Sequence, residues 1–275
     1  MSFCQHLLDS PSMFIAATGR ATISAGSYVL AIATLIGYAL GRLRRGRRVV
    51  PRVAREVVKR QILFTGVEAL PFASLIALLT GAVVALQASL LSGTTGNGDL
   101  LGRLLVTVLV QGLGPLIVGF IVIGRSGAAI AAELASMRVH RELDSLEAMG
   151  VDPFDYLVVP RMAGVVMALV GLSTAFIAMS LLAGWIILQA VSSVPQPLGE
   201  YVAMITVHLS AIDVVVLLAK TVVPGLLIAA IACHEGLAAA TSATDVPRAA
   251  TRSVVRSLSA VFVWHAIVTI LVFLR

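Results

Sequence analysis

Few side chains in this chain could do chemistry, and most of them sit at the ends of long apolar runs. Ser126 lies in Gly124-Arg125-Ser126-Gly127, and with His265 or His234 as base it would form a nucleophile–base pair for hydrolysis inside a membrane. Arg125, however, places Ser126 at the polar edge of its helix, whereas such a serine needs a buried, hydrated cavity. The histidines, His6, His140, His208, His234 and His265, form no pair at a spacing of three or four, so no metal site is expected. Asp144, Glu147, Asp152 and Asp155 gather near a membrane edge, but without the acidic repeat around a Gly/Ala-Arg core that a headgroup transferase would use. Lys220 carries more weight, because an ionisable group inside an apolar run is costly and marks function by default. Asp213 lies on the same helix face two turns earlier, about 10 Å along the axis and too far for a direct pair. Lys220 therefore reads either as a cavity wall that meets an anionic headgroup, or as a side chain that snorkels to the interface or pairs within the bundle. No Gly-x-x-x-x-Gly-Lys-Ser/Thr phosphate loop is present, so any work done on ATP needs a separate ATPase chain.

The elements that hold these residues are membrane helices. Of 275 residues 59% are hydrophobic and 12% charged, and the mean hydropathy is +0.99; soluble domains carry about 25% charged residues. The expected fold is an all-α integral membrane protein of about five transmembrane helices, with an N-terminal interfacial or membrane-embedded helix. Spans are expected over 70–91, 101–123, 162–191, 212–233 and 258–274. The run Gly26–Leu40 is short for a span and reads better as an interfacial helix, an extra span being the alternative. In the first span Ala73, Ala77, Gly81, Ala85 and Ser89 fall on one face, where helix backbones can approach closely. In the second, Gln111, Gly112, Gly114 and Pro115 break the helix at mid-membrane, and the freed backbone groups must find partners or a polar cavity. This predicts a kink beside a pathway.

Charge sets the orientation. Nine Lys/Arg lie between Arg42 and Arg60, four in 124–161 and three in 235–256, against Arg103 alone between spans on the other side. The N-terminus is expected in the cytoplasm and the C-terminus outside. The net charge of +6 is thereby assigned to topology and anionic headgroups, not to nucleic acid. Cys4 and Cys233 support no disulfide framework, and no signal peptide is evident. Residues 128–149 are expected to form one helix, stopped by Gly150, with Asp152-Pro153 starting the next. Glu133, Arg138, Arg141, Glu142, Asp144 and Glu147 give it charges of both signs, which suit a protein-docking surface or a solvated face.

The stretch from Gln111 to Arg161, QGLGPLIVGFIVIGRSGAAIAAELASMRVHRELDSLEAMGVDPFDYLVVPR, resembles the signature of the MlaE/YrbE permeases, the membrane subunits of ABC transporters that work with MCE-domain proteins. An LGP break, Gly-Arg-x-Gly-x-x-x-x-Ala-Glu from Gly124 to Glu133, Glu147-x-Met149-x-Val151-Asp152-Pro153, and Pro160-Arg161 carry the likeness. Asp213 and Lys220 fit a D-x(6)-K element, and weaker similarity runs from about residue 60 to the end. The resemblance implies a permease domain over 61–275 after an N-terminal segment, 1–60, that holds the interfacial helix and the basic cluster. It implies a homodimer with a lipid cavity between subunits, phospholipid movement between the inner and outer membranes of a Gram-negative cell, and residence in the inner membrane. The implied partners are a cytoplasmic ABC ATPase using ATP and Mg, a periplasmic MCE-domain protein and often a STAS-domain regulator. The 128–149 helix would be the coupling helix in a groove of the ATPase. Gln111, Gly112, Pro115 and Lys220 would line the lipid path, while Gly124, Arg125, Gly127, Asp152, Pro153 and Asp213 would serve structure. One departure stands out: where the family often carries Arg-Glu before Leu-Gly-Pro, this chain has Gln111-Gly112, so headgroup contact there should be weaker or different. The alternatives are a permease for another hydrophobic substrate, sterol or toluene-like, and an intramembrane enzyme.

Overall fold

The structure is a computed structural model that describes residues 26–42, 51–95, 99–191, 197–238 and 242–274. The expectations for Cys4, for His6 and for the arginines from Arg44 to Arg48 lie outside the described residues. Among the described residues there are only helices and turns, and five helices are long and apolar enough to cross a membrane: Glu56–Leu91, Leu100–Val139, Phe154–Ala190, Ala211–Leu237 and Asp245–Phe273.

The first helix, α1 (26–42), places Tyr28, Ile32, Ile36 and Ala39 against the core, a stripe at helical spacing. The Tyr28 ring stands edge-on to His234 at 5.0 Å and under the Arg256 guanidinium at 4.4 Å. Toward the other end of α1, Arg42 pairs with Asp155 at 2.9 Å, and the Tyr38 hydroxyl lies 3.2 Å from Asp155 and 3.4 Å from Asp152. All these partners lie at one end of the bundle, the end that carries most of the Lys and Arg. Both ends of α1, about 25 Å long at 1.5 Å per residue, thus touch that same basic end. The helix lies across it and does not traverse the bundle.

The first span is α2 (Pro51–Ile62), a π-helical stretch (Leu63–Val67) and α3 (Leu70–Thr95). The second is α4 (Asp99–Leu105), a π stretch (Val106–Leu113), α5 (Gly114–Val122), another π stretch (Ile123–Gly127) and α6 (Ala128–Val139). After α7 (Glu142–Ala148) a fourth π stretch (Phe154–Val158) leads into α8 (Val159–Val191), whose 33 residues exceed a bilayer's hydrocarbon thickness. Then follow α9 (Leu198–His208), α10 (Ala211–Leu237) and α11 (Asp245–Phe273).

The sequence expectation differs from the structure in two places. The helix expected over 128–149 is two helices: α6 is the continuation of the second span, and the chain breaks at His140–Arg141 before α7. Arg141 takes a left-handed conformation (φ 56°), costly for a residue with a Cβ by about 1–2 kcal/mol. The stop at Gly150 (φ 76°) and the start at Asp152-Pro153 are present, the Asp152 carboxylate accepting the Phe154 N–H at 2.9 Å. The second difference is α9, a separate helix between the third and fourth spans that the expected spans do not include. It caps the opposite end of the bundle, burying Tyr201 and Ile205 against Ala85, Leu105 and Leu109. The Tyr201 hydroxyl donates to the Leu181 carbonyl at 3.0 Å, and burial pushes its phenol pKa up.

Without a hydrophobic drive between helices in lipid, close packing must hold the bundle. The small-residue face of α3 does this against α8: Ala73, Ala77, Gly81 and Ala85 are buried, and a Cβ at Gly81 would overlap the Ser180 carbonyl. Gly81→Ala is therefore expected to force α3 and α8 apart at a cost of about 1–3 kcal/mol. Gly171→Ala, on open space within α8, should be near neutral. Thermal melts of the two variants in one detergent check the pair.

Candidate functional site

Two regions bring chemistry-bearing residues together, one at the Gly-Pro break of the second span and one at the basic end. The first is built around the break in the second span. In an α-helix the carbonyl of Gln111 would accept from the N–H of residue 115, but Pro115 has none. Gly114 permits the wide turn, because a Cβ there would overlap the Leu109 carbonyl. The Gln111 carbonyl, to which Pro115 can donate nothing, accepts from Lys220 Nζ at 2.7 Å, and the same ammonium donates to Thr269 Oγ1 at 2.9 Å. Thr269 in turn donates to the His265 carbonyl at 2.7 Å. The Gln111 side chain reaches the other way, Nε2 donating to Asp213 Oδ1 at 2.5 Å. The second oxygen of Asp213 accepts the Ser210 N–H at 2.7 Å and completes a capping box at the start of α10.

Gln111 thus bridges Asp213 and Lys220, which the sequence had placed too far apart to pair directly. The result is a polar clasp tying the second span to α10 and α11. Lys220 is 3% exposed and Asp213 4%. Pro115 is also buried, whereas Gln111 and Gly112 are half-buried. Of the four residues assigned to a lipid path, Gln111 and Gly112 offer surface, and Lys220 reaches the break from inside the bundle. The S-x-x-D pattern at Ser210–Asp213, just before an apolar run, was the sequence signal for the capping role of Asp213. Thr269 had no comparable signal.

The second region is the basic end. Arg125 pairs with Glu68 at 2.6 Å and lies 5.0 Å over the Phe64 ring. Arg161, buried, pairs with Glu133 at 2.8 Å. Glu235 is flanked by Arg256 and by Arg252 at 3.7 Å. On α1 the Tyr38 hydroxyl and the Asp155 carboxylate raise the Arg42 guanidinium above its ordinary pKa. These pairs tie neighbouring helices at the membrane edge. Glu133, grouped by sequence with the docking charges, belongs to them through Arg161. Gly127 and Gly124 sit in the π turn beside Arg125; Gly127 packs against Ile228 while Gly124 faces open space.

Beyond this ring projects α7. Leu143 and Leu146 pack it inward, while Arg138, Arg141, Glu142, Asp144 and Glu147 are exposed, and none of the five has an ion-pair partner among the described residues. Met149, 69% exposed, puts an apolar side chain among them. The Ser126 pairing weighed above does not form: its hydroxyl is buried without a hydrogen-bond partner, His265 Nδ1 faces the Val261 carbonyl, and His234 faces Tyr28 and Glu235.

Comparison with known proteins places this architecture. The family described as Permease MlaE matches residues 58–271. A probable ABC transporter permease protein of Rickettsia typhi is 30% identical over 81% of this chain and 85% of its own length. One from Synechocystis is 30% identical over 81% of this chain and 84% of its own. The chloroplastic protein trigalactosyldiacylglycerol 1 of Arabidopsis thaliana is 31% identical over 59% of this chain and 46% of its own length.

Proposed function

Because the chain belongs to the permease MlaE family, and is therefore a multi-pass transport subunit of the ABC class, we propose that it moves phospholipids between the inner and outer membranes of a Gram-negative cell, driven by a separate cytoplasmic ATPase. The observation that carries the ATPase part is α7 and the turn before it: Glu142, Asp144 and Glu147 on the helix and Arg138 and Arg141 just ahead of it are exposed, without ion-pair partners among the described residues, and Leu143 and Leu146 pack the helix inward. Charged groups kept free on one face steer and orient a partner of complementary charge. The ATPase chain would supply the ATP and Mg site that this sequence lacks. The lipid part is supported by the family and by the Arabidopsis relative, whose name is that of a glycerolipid.

In this reading two copies enclose a lipid cavity, with the N-terminus in the cytoplasm, an MCE-domain protein on the periplasmic side and often a STAS-domain regulator on the ATPase. Gln111 and Gly112 face the lipid path. Pro115 makes the break there, and Lys220 holds it open from behind through the Gln111 carbonyl. With a neutral amide at 111 in place of the family's frequent arginine, contact with a headgroup phosphate is weaker at this point. ATP-driven movement of α7 and α6 reaches the break directly, because α6 and α5 belong to one continuous helix.

The test is a mild-detergent pull-down of the tagged chain from native membranes, with partners identified by mass spectrometry and bound lipids extracted. A P-loop ATPase, an MCE-domain protein and co-purified phospholipid are expected. Retention of a sterol or an aromatic hydrocarbon with the same ATPase would overturn the substrate, and recovery of the chain alone would overturn the assembly.

A further inference from the structure

Two clefts meet at the Glu68–Arg125 ion pair. One, of about 550 Å³, opens at the basic end between α2, α6 and the start of α8, and Arg60, Gln61, Glu68, Glu133, Tyr156 and Arg161 give it a polar wall. The other, of about 610 Å³, continues on the far side of the pair and is apolar, lined by Ala69, Phe72, Phe120 and Ile121 beside Gly124 and Arg125. Within the polar cleft both acids are spoken for, Glu68 by Arg125 and Glu133 by one nitrogen of Arg161. The other terminal nitrogen of Arg161, Nη1, has no hydrogen-bond partner although the residue is only 6% exposed. Arg60, exposed on the same wall, has no ion-pair partner among the described residues. A buried guanidinium donor left unmatched in a polar cleft asks for an anionic acceptor.

We infer that these clefts are a docking site for one phospholipid of the cytoplasmic leaflet, its phosphodiester on Arg60 and Arg161 and its acyl chains along Phe72 and Phe120. Both halves of the ligand have a counterpart: Arg60, without an ion-pair partner among the described residues, and Arg161, with one terminal nitrogen unmatched while the other holds Glu133, lie at the basic end, and next to them is an apolar trough of a size to hold hydrocarbon. The depth is right as well, because the polar half lies at the end where the basic residues gather and anionic headgroups are found. The site is separate from the clasp at the Gly-Pro break. Its use as the cytoplasmic-side station of a transported lipid rests on the lipid-transport reading, whereas the binding does not.

The experiment uses the full chain without its ATPase, in nanodiscs holding a phosphatidylglycerol with a photoreactive diazirine in one acyl chain. Labelling is mapped by mass spectrometry, so the site stands or falls apart from transport. Label is expected on Phe72, Phe120 or Ile121. Arg60→Gln removes one charge-assisted contact and is expected to lower that label about tenfold. Gly124→Leu, whose new side chain enters open space and projects toward the trough, is expected to lower it without loss of fold. Label elsewhere, or label at these residues that neither variant reduces, would overturn the site. So would inorganic phosphate abolishing the label with the same dependence on Arg60, which would make it a free-phosphate site. A Phe72→Cys chain that forms disulfide-linked pairs in native membranes would show a second copy covering the trough, and would overturn it too.

Discussion

Lys220→Met is expected to lower thermal stability and transport together, and Pro115→Ala in the same chain is expected to restore part of both. The methionine keeps the length of the side chain and loses the ammonium. The Gln111 carbonyl, to which Pro115 can donate nothing, then loses the Lys220 donor, and an acceptor inside the bundle stripped of a hydrogen bond costs about 1–3 kcal/mol. Removing a buried charge returns some of its desolvation, so the net loss should sit toward the lower end of that range. Alanine at 115 supplies the missing N–H, which the Gln111 carbonyl can accept without Lys220. The four chains, wild type, two singles and the double, form a cycle whose coupling term isolates the clasp. Melting curves in detergent and lipid-transfer rates with reconstituted partners would read it. If Lys220 instead met the lipid headgroup directly, transport would fall with the melting temperature unmoved, and Pro115→Ala would rescue nothing. Effects of the two substitutions that simply add would likewise remove the clasp from the account.

The clasp also shows how far the sequence could be read. Apolar runs fixed the number of spans, because any chain so poor in charge must satisfy its backbone within helices. The Gly-Pro break was visible for the same reason: glycine and proline act through local backbone geometry. What the break leans on was not visible. Lys220 reaches Gln111 across 109 positions of chain, and such a contact depends on the rotation of α10 against the second span, which no local pattern records. Asp213 was legible only in part. It was noticed as a charge in an apolar run, whereas Ser210 three residues earlier makes it a capping residue whose free oxygen then serves Gln111. The break at Arg141 had no signal of any kind. Its neighbours include neither glycine nor proline, and a left-handed arginine is held there by the packing of Leu143 and Leu146 beneath α7. The ion pairs at the basic end follow the same rule. Their members could be named as interfacial charges, but not their partners, Glu68 with Arg125 and Glu133 with Arg161.

Reversing the charges of Asp144 and Glu147 together, to lysine, is expected to release the chain from its ATPase while leaving it folded in the membrane. Both carboxylates are exposed and neither has an ion-pair partner among the described residues, so the substitution breaks no ion pair there and the melting temperature should hold. Against a partner surface the same change turns attraction into like-charge repulsion at two points, and a loss of affinity of about tenfold to a hundredfold follows. Arg141 sharpens the argument. A residue held in the left-handed region stores about 1–2 kcal/mol of strain, and strain of this kind is kept where the surrounding structure needs one particular direction of chain. Here the turn separates α7 from α6 and leaves Asp144, Glu147 and Met149 exposed at the basic end, while α6 belongs to the same long helix as the Gly-Pro break. A force applied to α7 is thereby carried along one continuous helix to Gln111. Co-purification of the ATPase, ATP-driven lipid transfer and melting temperature, measured on the same variant, separate the outcomes. Loss of the first two with an unchanged melt supports docking through α7. An ATPase retained at wild-type level with transfer intact would show that these charges face only water.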